Sequence, residues 1–289
     1  MANIVPVGSL KHTSSNFKFF NKRPLEQSRH TAFTLEGMNF FAHATAAERY
    51  AAARPYFHPK AVQVLLEVTK QTRFSSALDV ACGTGMGTRA LLEVCDAVTG
   101  CDLSPEMLAH ARATVPHATF LEAPAEALPL PDSSVALVTT FLAFHWFDQA
   151  RFLMEAKRVL EPGGWLMVCN HYFIAEMQGQ PDFKTWADAF YPNYPRPNRN
   201  PSKLEASDAE RFGFTVHVET SFDDAYAMTA AEFALYVSTQ SNIIAKVEHG
   251  EERLEAVLER IEHGVEPLLQ DDQGVFLFRG DVRVLRANP

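Results

Sequence analysis

A chain of 289 residues, 47% hydrophobic and 21% charged, has enough apolar material for a sizeable core and none of the bias that marks wholesale disorder. Its formal charge of -9 argues against a nucleic-acid partner, because binding a phosphate backbone ordinarily needs a basic face that displaces counterions. No apolar run approaches a membrane span. The four cysteines, Cys82, Cys95, Cys101 and Cys169, lack the paired spacing of a zinc site, so free thiols in a reduced, cytoplasmic setting are the simplest reading.

Residues 1–37 differ from the rest: Lys11, Lys18, Lys22, Arg23 and Arg29 stand against Glu26 and Glu36, with Ser and Thr between them. The stretch lacks the apolar centre of a secretory signal. It reads as a flexible leader, an organellar transit peptide, or an upstream extension of the reading frame before Met38. From Met38 onward a single domain is expected. Thr45 and Glu48 match a capping box opening a short helix that carries Tyr50, and Pro55 and Pro59 break the chain before a helix with Val62, Leu65, Leu66 and Val68 inward.

Ala77 to Ala81 is a short strand interrupted by Asp79. Val98 to Asp102 is the next, followed by a helix that Ser104 caps with Pro105 at its first position. Phe120 to Ala123 and Val135 to Phe141 are further strands, separated by the turn-rich PLPDSS. Asp148 caps a helix with Phe152, Leu153, Ala156, Val159 and Leu160 on one face, Glu161-Pro162-Gly163-Gly164 ends it, and Trp165 to Cys169 is a fifth strand. Regular alternation of this kind predicts an α/β fold, a parallel sheet with helices on both faces and ligands at the carboxyl ends of the strands.

After Asn170 the pattern loosens into a segment rich in proline and aromatics, including Tyr172, Phe173, Phe183, Trp186, Phe190, Tyr191 and Tyr194. Val216 to Thr220 reads as a strand. Thr229 and Glu232 form a second capping box, stapled by Met228 and Phe233, and Leu254, Val257, Leu258 and Ile261 mark an amphipathic helix. Val275 to Leu285 closes the chain as one alternating strand or as a tight pair around Gly280.

The stretch ALDVACGTGMG concentrates the chemical signal. A strand, a glycine turn and a helix start aim backbone N–H groups at an approaching ligand, and Asp102 follows at about the 20-residue spacing at which a carboxylate takes both hydroxyls of a ribose. Gly83, Gly85 and Gly87 give G-x-G-x-G, with Thr88 where a dinucleotide fingerprint needs its third glycine, and the Gly-Lys-Ser/Thr of a phosphate loop is absent. A carboxylate at Asp79 disfavours a pyrophosphate and suits an ammonium group.

LDVACGTG (Leu78 to Gly85), GCDLSPEML (Gly100 to Leu108), AEALPLPDSS (Ala125 to Ser134), FHWFD (Phe144 to Asp148) and RVLEPGG (Arg158 to Gly164) together resemble the class I S-adenosylmethionine-dependent methyltransferases of the type 11 group. Within it, YAAARPYFHP and FHWFD are most like the small-molecule enzymes related to trans-aconitate methyltransferase. The resemblance implies a Rossmann-like, mostly parallel seven-stranded sheet with its last strand or strands antiparallel and helical cap insertions. In residues, it implies a cofactor-binding core over 38–170 and acceptor-side insertions over 171–214 and 229–272.

By the same resemblance, Gly83, Thr84 and Gly85 run along the methionine part of S-adenosylmethionine, and Asp79 anchors its ammonium or the loop itself. Asp102 holds the ribose, Leu103 and Met107 flank adenine, Ala125 and Glu126 face the adenine edge, and Phe141 closes the site from the fourth strand. Many relatives carry Gly-Asp where this chain has Ala123-Pro124, which leaves the adenine amino contact to backbone carbonyls or to Glu126.

On the acceptor side, Tyr50, Arg54, His145, Trp146, His171 and Tyr172 are the candidates. His145 follows the fourth strand, where a histidine titrating near neutral pH can take a proton from a hydroxyl or amine; a carboxylate nucleophile needs no base. Methylation of a small molecule, first at oxygen, is expected, with transfer to nitrogen or carbon open. A nicotinamide-dependent oxidoreductase and a non-catalytic cofactor-binding protein are the competing classes. Cofactor binding without turnover would mark the latter.

Overall fold

The computed structural model describes residues 44–197, 199–200 and 204–289, with side chains from Ala47 onward. The expectations for residues 1–37, for Met38 and for the Thr45 side chain lie outside the described residues. Two helices, α1 (Ala44–Ala53) and α2 (His58–Thr69), precede the first strand. The alternating half follows as β1 (Phe74–Val80), α3 (Met86–Leu92), β2 (Cys95–Asp102), α4 (Pro105–Thr114), β3 (Thr119–Glu122), β4 (Val135–Phe141) and α5 (Gln149–Val159). The rest is β5 (Leu160–Met177), α6 (Asp182–Phe190), α7 (Ala206–Arg211), β6 (Phe214–Met228), α8 (Ala230–Ser238), α9 (Ser241–Glu248), α10 (Leu254–Val265) and β7 (Gly274–Ala287).

Among the described residues seven strands form one sheet in the order β3-β2-β1-β4-β5-β7-β6. Every neighbouring pair from β3 to β5 is parallel, and β7 runs antiparallel between β5 and β6. This is the Rossmann-like sheet expected, with its reversed strand near the far edge. The central strands read as continuous apolar runs because both faces are covered. On one face, Leu78, Val138, Leu166 and Val168 pack with Phe152, Leu153 and Ala156 of α5. On the other, Ala77, Leu137, Met167 and Cys169 pack with Ala61, Val62 and Leu65 of α2 and with Leu91 of α3. A further core joins the far ends of β5, β6 and β7 to α6, α8 and α10 through Met177, Phe183, Phe233, Ile261, Phe276 and Phe278.

Three of the capping signals are used as read, whereas the Thr45–Glu48 box is corrected, because α1 already begins at Ala44 and Thr45 lies inside the helix. Ser104 Oγ accepts from the N–H of Met107 (3.2 Å), Asp148 Oδ1 accepts from the N–H of Arg151 (3.2 Å), and the Thr229–Glu232 box is closed in both directions. Two strands run well past their sequence patterns. β5 begins at Leu160, so Glu161-Pro162-Gly163-Gly164 follows the end of α5 as an irregular strand start with a register shift against β4, and β5 continues to Met177. β6 spans Phe214–Met228 rather than Val216 to Thr220.

The tight pair considered around Gly280 is corrected: β7 passes straight through it, pairing Gly280 with His171 on one side and Phe222 on the other. A Cβ there would stand 2.2 Å from Phe222 Cζ, so the glycine makes room for a ring crossing the strand and turns nothing. The four cysteines are free and buried.

Candidate functional site

β1 ends in a turn at the carboxyl edge of the sheet. Ala81, Gly83 and Gly85 all adopt positive φ (55°, 53° and 84°), and Gly85 N–H donates back to the carbonyl of Cys82 at 3.0 Å. The three glycines serve different ends. A Cβ on Gly83 would meet nothing within 4 Å, so its face is open. One on Gly85 would press on Val115 and Ala111 of the α4 end at 3.1 and 3.2 Å. One on Gly87 would strike the Phe141 ring at 2.6 Å and Asp79 Oδ2 at 2.9 Å.

Asp79 lies beneath this turn, 1% exposed. Its Oδ2 accepts from Thr88 Oγ1 (2.8 Å) and its Oδ1 from Thr139 Oγ1 (3.0 Å), so the carboxyl ties α3 to β4. Burial pushes its pKa up to about 7, against the pull of the two hydroxyls and with the charge of Asp102 adding to the rise. Both of these hydrogen bonds come from hydroxyls of the elements that flank the turn, Thr88 of α3 and Thr139 of β4. Thr84, next along the turn, is buried, and its Oγ1 has no hydrogen-bond partner.

Asp102 ends β2 beside the turn. Gly83 N–H donates to its Oδ2 at 2.8 Å and Ser104 N–H to its Oδ1 at 2.9 Å. Burial raises its pKa, opposed by the N–H groups of Ser104, Gly83 and Leu103. Leu103 then projects into solvent at 60% exposure, an unusual place for a leucine, whereas Met107 is buried beneath α4. Ala125 is buried in the loop after β3, and Glu126 is fastened by accepting the Asp148 N–H at 2.7 Å. Phe141 lies across Gly87 from β4 and meets the His58 ring at 4.9 Å. The structure therefore gathers Asp79, Gly83, Thr84, Gly85, Asp102, Leu103 and Phe141 around one turn.

The acceptor-side candidates fall into three groups. His145 and Trp146 occupy a 3-10 turn after β4, their rings 4.8 Å apart, and His145 Nε2 lies 3.4 Å from Arg199 Nη1. Burial, then the charges of Arg199 and Arg196, push the His145 pKa down to about 3. The near-neutral titration expected of His145 is thereby corrected: two guanidiniums oppose the imidazolium.

Tyr50, Arg54 and His171 form the second group. Arg54 Cζ stands 4.9 Å from the Tyr50 ring centre, and His171, buried on β5, stacks on Phe57 at 4.2 Å with 2° between the planes. Tyr172 stands apart from them. The two-residue period of β5 puts it on the opposite face, 38% exposed and beside Asp281 and Arg279.

Residues 78–168 match a protein family described as Methyltransferase domain. This segment is a class I methyltransferase domain. A probable S-adenosylmethionine-dependent methyltransferase of Mycolicibacterium smegmatis is 39% identical over 92 residues, 32% of this chain and 36% of that protein. An uncharacterized methyltransferase of Mycobacterium tuberculosis is 39% identical over 122 residues, 42% of this chain and 49% of that protein, so the chain spans about half the length of such relatives. A demethylmenaquinone methyltransferase of Chlorobaculum tepidum is 46% identical over 89 residues, 30% of this chain and 37% of its own. A solved structure from Anaeromyxobacter dehalogenans superimposes with a TM-score of 0.60 at 20% identity, covering 79% of this chain and 95% of that one, which shows a shared fold.

The residues of the methyltransferase domain fit S-adenosylmethionine as donor. Gly83 offers an open backbone face, Thr84 a buried hydroxyl with no partner, and Asp102 keeps acceptor capacity beyond the backbone N–H groups it takes. Among the described residues no group of three His, Cys, Asp or Glu is placed to hold a metal, and no helix is long and apolar enough to cross a membrane.

Several residues around His171 and Arg54 escaped the sequence reading: Phe57, His58, Lys60, Asp224, Tyr226, Tyr236 and Gln240. Asp224 accepts hydrogen bonds from Lys60 Nζ and Tyr226 Oη, and its Oδ2 lies 3.5 Å from His171 Nε2, a separation at which no hydrogen bond is formed. The available signal was the acidic pair Asp223-Asp224 inside an alternating strand, where one of two adjacent carboxylates must face inward.

Proposed function

We propose that the protein transfers the methyl group of S-adenosylmethionine to an oxygen, carboxylate or hydroxyl, of a small-molecule acceptor. The observation that carries the reading is Asp102, a largely buried carboxylate that clasps the Gly83 turn and keeps acceptor capacity beyond the backbone N–H groups it takes. Asp102 would take the two ribose hydroxyls. Gly83, Thr84 and Gly85 would line the methionine part, with the Thr84 hydroxyl finding there the partner it lacks, and Asp79 would fix the turn from below. The exposed Leu103 would cover one face of adenine, with Met107 packed under it. Ala125 and Glu126 would border the adenine edge, and Phe141 would wall the methyl end.

When bound, the donor supplies an electrophilic methyl on a sulfonium, whose in-line transfer depends on alignment and exclusion of water more than on acid–base groups. This agrees with a site in which the nearest histidine after β4, His145, is a weak base. Residues 38–289 would form one methyltransferase unit, with 171–214 and 229–272 on the acceptor side, acting in a reducing, cytoplasmic setting in keeping with four free thiols.

Labelled S-adenosylmethionine incubated with the protein and a metabolite extract, followed by mass spectrometry, is the test of activity. Asp102→Ala should weaken S-adenosylhomocysteine binding, measured by calorimetry, on the order of 100-fold or more, since two hydrogen bonds to a charged acceptor are lost. Unchanged affinity would sink the assignment. A second reading, methylation of a quinone-like acceptor at carbon, is favoured by the likeness to the Chlorobaculum tepidum protein, and the same experiment separates the two by the site of label.

A further inference from the structure

α1 brings two arginines against α8 and α9, and the two are treated differently. Arg49 Nη2 has a carboxylate, Glu248 Oε1, at 3.4 Å. Arg54, with which α1 gives way to the following loop, is paired with no Asp or Glu among the described residues. Its Nη2 donates to the carbonyl of Thr239 at 2.7 Å, and its Nε is buried with no hydrogen-bond partner. Its Cζ sits between two aromatic faces, 4.9 Å from the centre of Tyr50 and 5.4 Å from that of Tyr236.

The surroundings are polar and enclosed. Tyr236 and His171 are both more than nine-tenths buried. Tyr191 Oη accepts from Gln240 Nε2 at 3.3 Å. The charge of Arg54 reaches all three rings: it helps burial depress the His171 pKa, and it opposes the rise that burial imposes on Tyr191 and Tyr236. The nearby acid on β6, Asp224, is already engaged by Lys60 and Tyr226.

From His171 the Phe57 ring leads, through contacts of 4.2 and 6.2 Å between ring centres, to Phe141, which lies against Gly87. These rings thus adjoin the wall of the proposed donor site. A guanidinium carries five donors in a planar fork, and a carbonyl and two ring faces leave most of them unused while supplying no negative charge. A half-buried guanidinium with its Nε buried and unpartnered has donors to offer an anion.

We propose that Arg54 is the anchor for a carboxylate carried by the acceptor, clasped between the faces of Tyr50 and Tyr236. The inference rests on the methyl-transfer reading and deepens it. A carboxylate whose lone pairs are taken by a guanidinium is a poor nucleophile, so the group held at Arg54 is not the one that receives the methyl. The acceptor therefore carries two functional groups, an anionic handle and, nearer Phe141, the reacting atom.

The test is calorimetry on the full chain saturated with S-adenosylhomocysteine, titrated with benzoate, phenylacetate and glutarate and with their amides, benzamide, phenylacetamide and glutaramide. At least one carboxylate should bind about tenfold or more tightly than its amide. Arg54→Gln should abolish that preference and leave S-adenosylhomocysteine affinity within about twofold, while Arg54→Lys, which keeps the charge without the fork, should retain part of it. In a nuclear magnetic resonance titration the His171 pKa should rise when the carboxylate binds, and should rise in Arg54→Gln with no ligand.

Equal binding of carboxylates and amides, or no binding of any carboxylate, overturns the proposal. So does a loss of S-adenosylhomocysteine affinity in Arg54→Gln as large as the loss for carboxylates, which would place Arg54 on the cofactor. A wild-type chain that binds no S-adenosylhomocysteine overturns the methyl-transfer reading itself. One that binds it yet treats carboxylates and amides alike overturns only the role of Arg54.

Discussion

Replacing Asp79 by Asn removes a buried charge while nearly preserving volume and hydrogen bonding. The amide oxygen can still accept from Thr139 Oγ1, and the amide nitrogen can donate to Thr88 Oγ1 in place of the bond Oδ2 accepts now. Burial raises the Asp79 pKa from 3.8 to about 7, so between those values the folded protein binds a proton that the unfolded chain has released. Stability therefore falls as pH rises through that window: the penalty is absent below the unfolded value and complete above the folded one. At roughly 1.4 kcal/mol per pH unit the full penalty is about 4 kcal/mol, of which about 3 kcal/mol develops between pH 5 and pH 8.

Urea unfolding of both proteins at those two pH values measures it, with the buried histidines common to both cancelling in the difference. The Asn variant should gain on the wild type by about 3 kcal/mol on going from pH 5 to pH 8. A stability difference that is the same at both pH values would refute the premise that a carboxyl resisting ionisation lies under the turn. S-adenosylhomocysteine affinity in the same variant, if within a few-fold of wild type, would show that Asp79 acts by holding the loop.

Gly87→Ala forces a methyl against the Phe141 ring and Asp79, and unfolding should show a loss of about 1–3 kcal/mol. Asp224→Ala strips the carboxylate from Lys60 and Tyr226 and should cost about 3 kcal/mol, seen in the thermal midpoint, with Asp224→Asn milder because it still accepts from Lys60. His58 has a buried Nδ1 without a partner and a pKa pushed down to about 3 by burial, then by His171 and Arg89. The unfolded chain therefore takes up the proton first, and His58 lowers stability progressively as pH falls below the unfolded value of 6.5. His58→Phe, which keeps the stack on Phe57, should be more stable than wild type by a margin that grows on acidification from neutral pH.

The donor half was legible because its constraints are local. A glycine turn and helix caps each act within a few residues, so Gly83, Ser104 and Asp148 could be read in order. Strand lengths past Asn170 were not legible, because β5, β6 and β7 owe their far ends to one another: Phe173 faces Phe278, and Asp224 faces the same residue from the other side. Gly280 misled for the same reason, since the ring that needs its space lies 58 residues earlier in sequence, on β6. Arg54 could be nominated from its segment, but that no Asp or Glu among the described residues pairs with it is a fact of three dimensions.

The continuity of β5 has a consequence for how such a chain diversifies. The same strand supplies Val168 to the core beneath α5 and, three residues later, His171 to the stack on Phe57, with Tyr172 turned the other way. One codon inserted after Cys169 would exchange the outward tyrosine for the inward histidine while leaving the parallel half in frame. On the function proposed above, acceptor preference would therefore drift by sliding a ribbon, a coarse and reversible change, whereas the half around the Gly83 turn is fixed by turns that tolerate no such slippage.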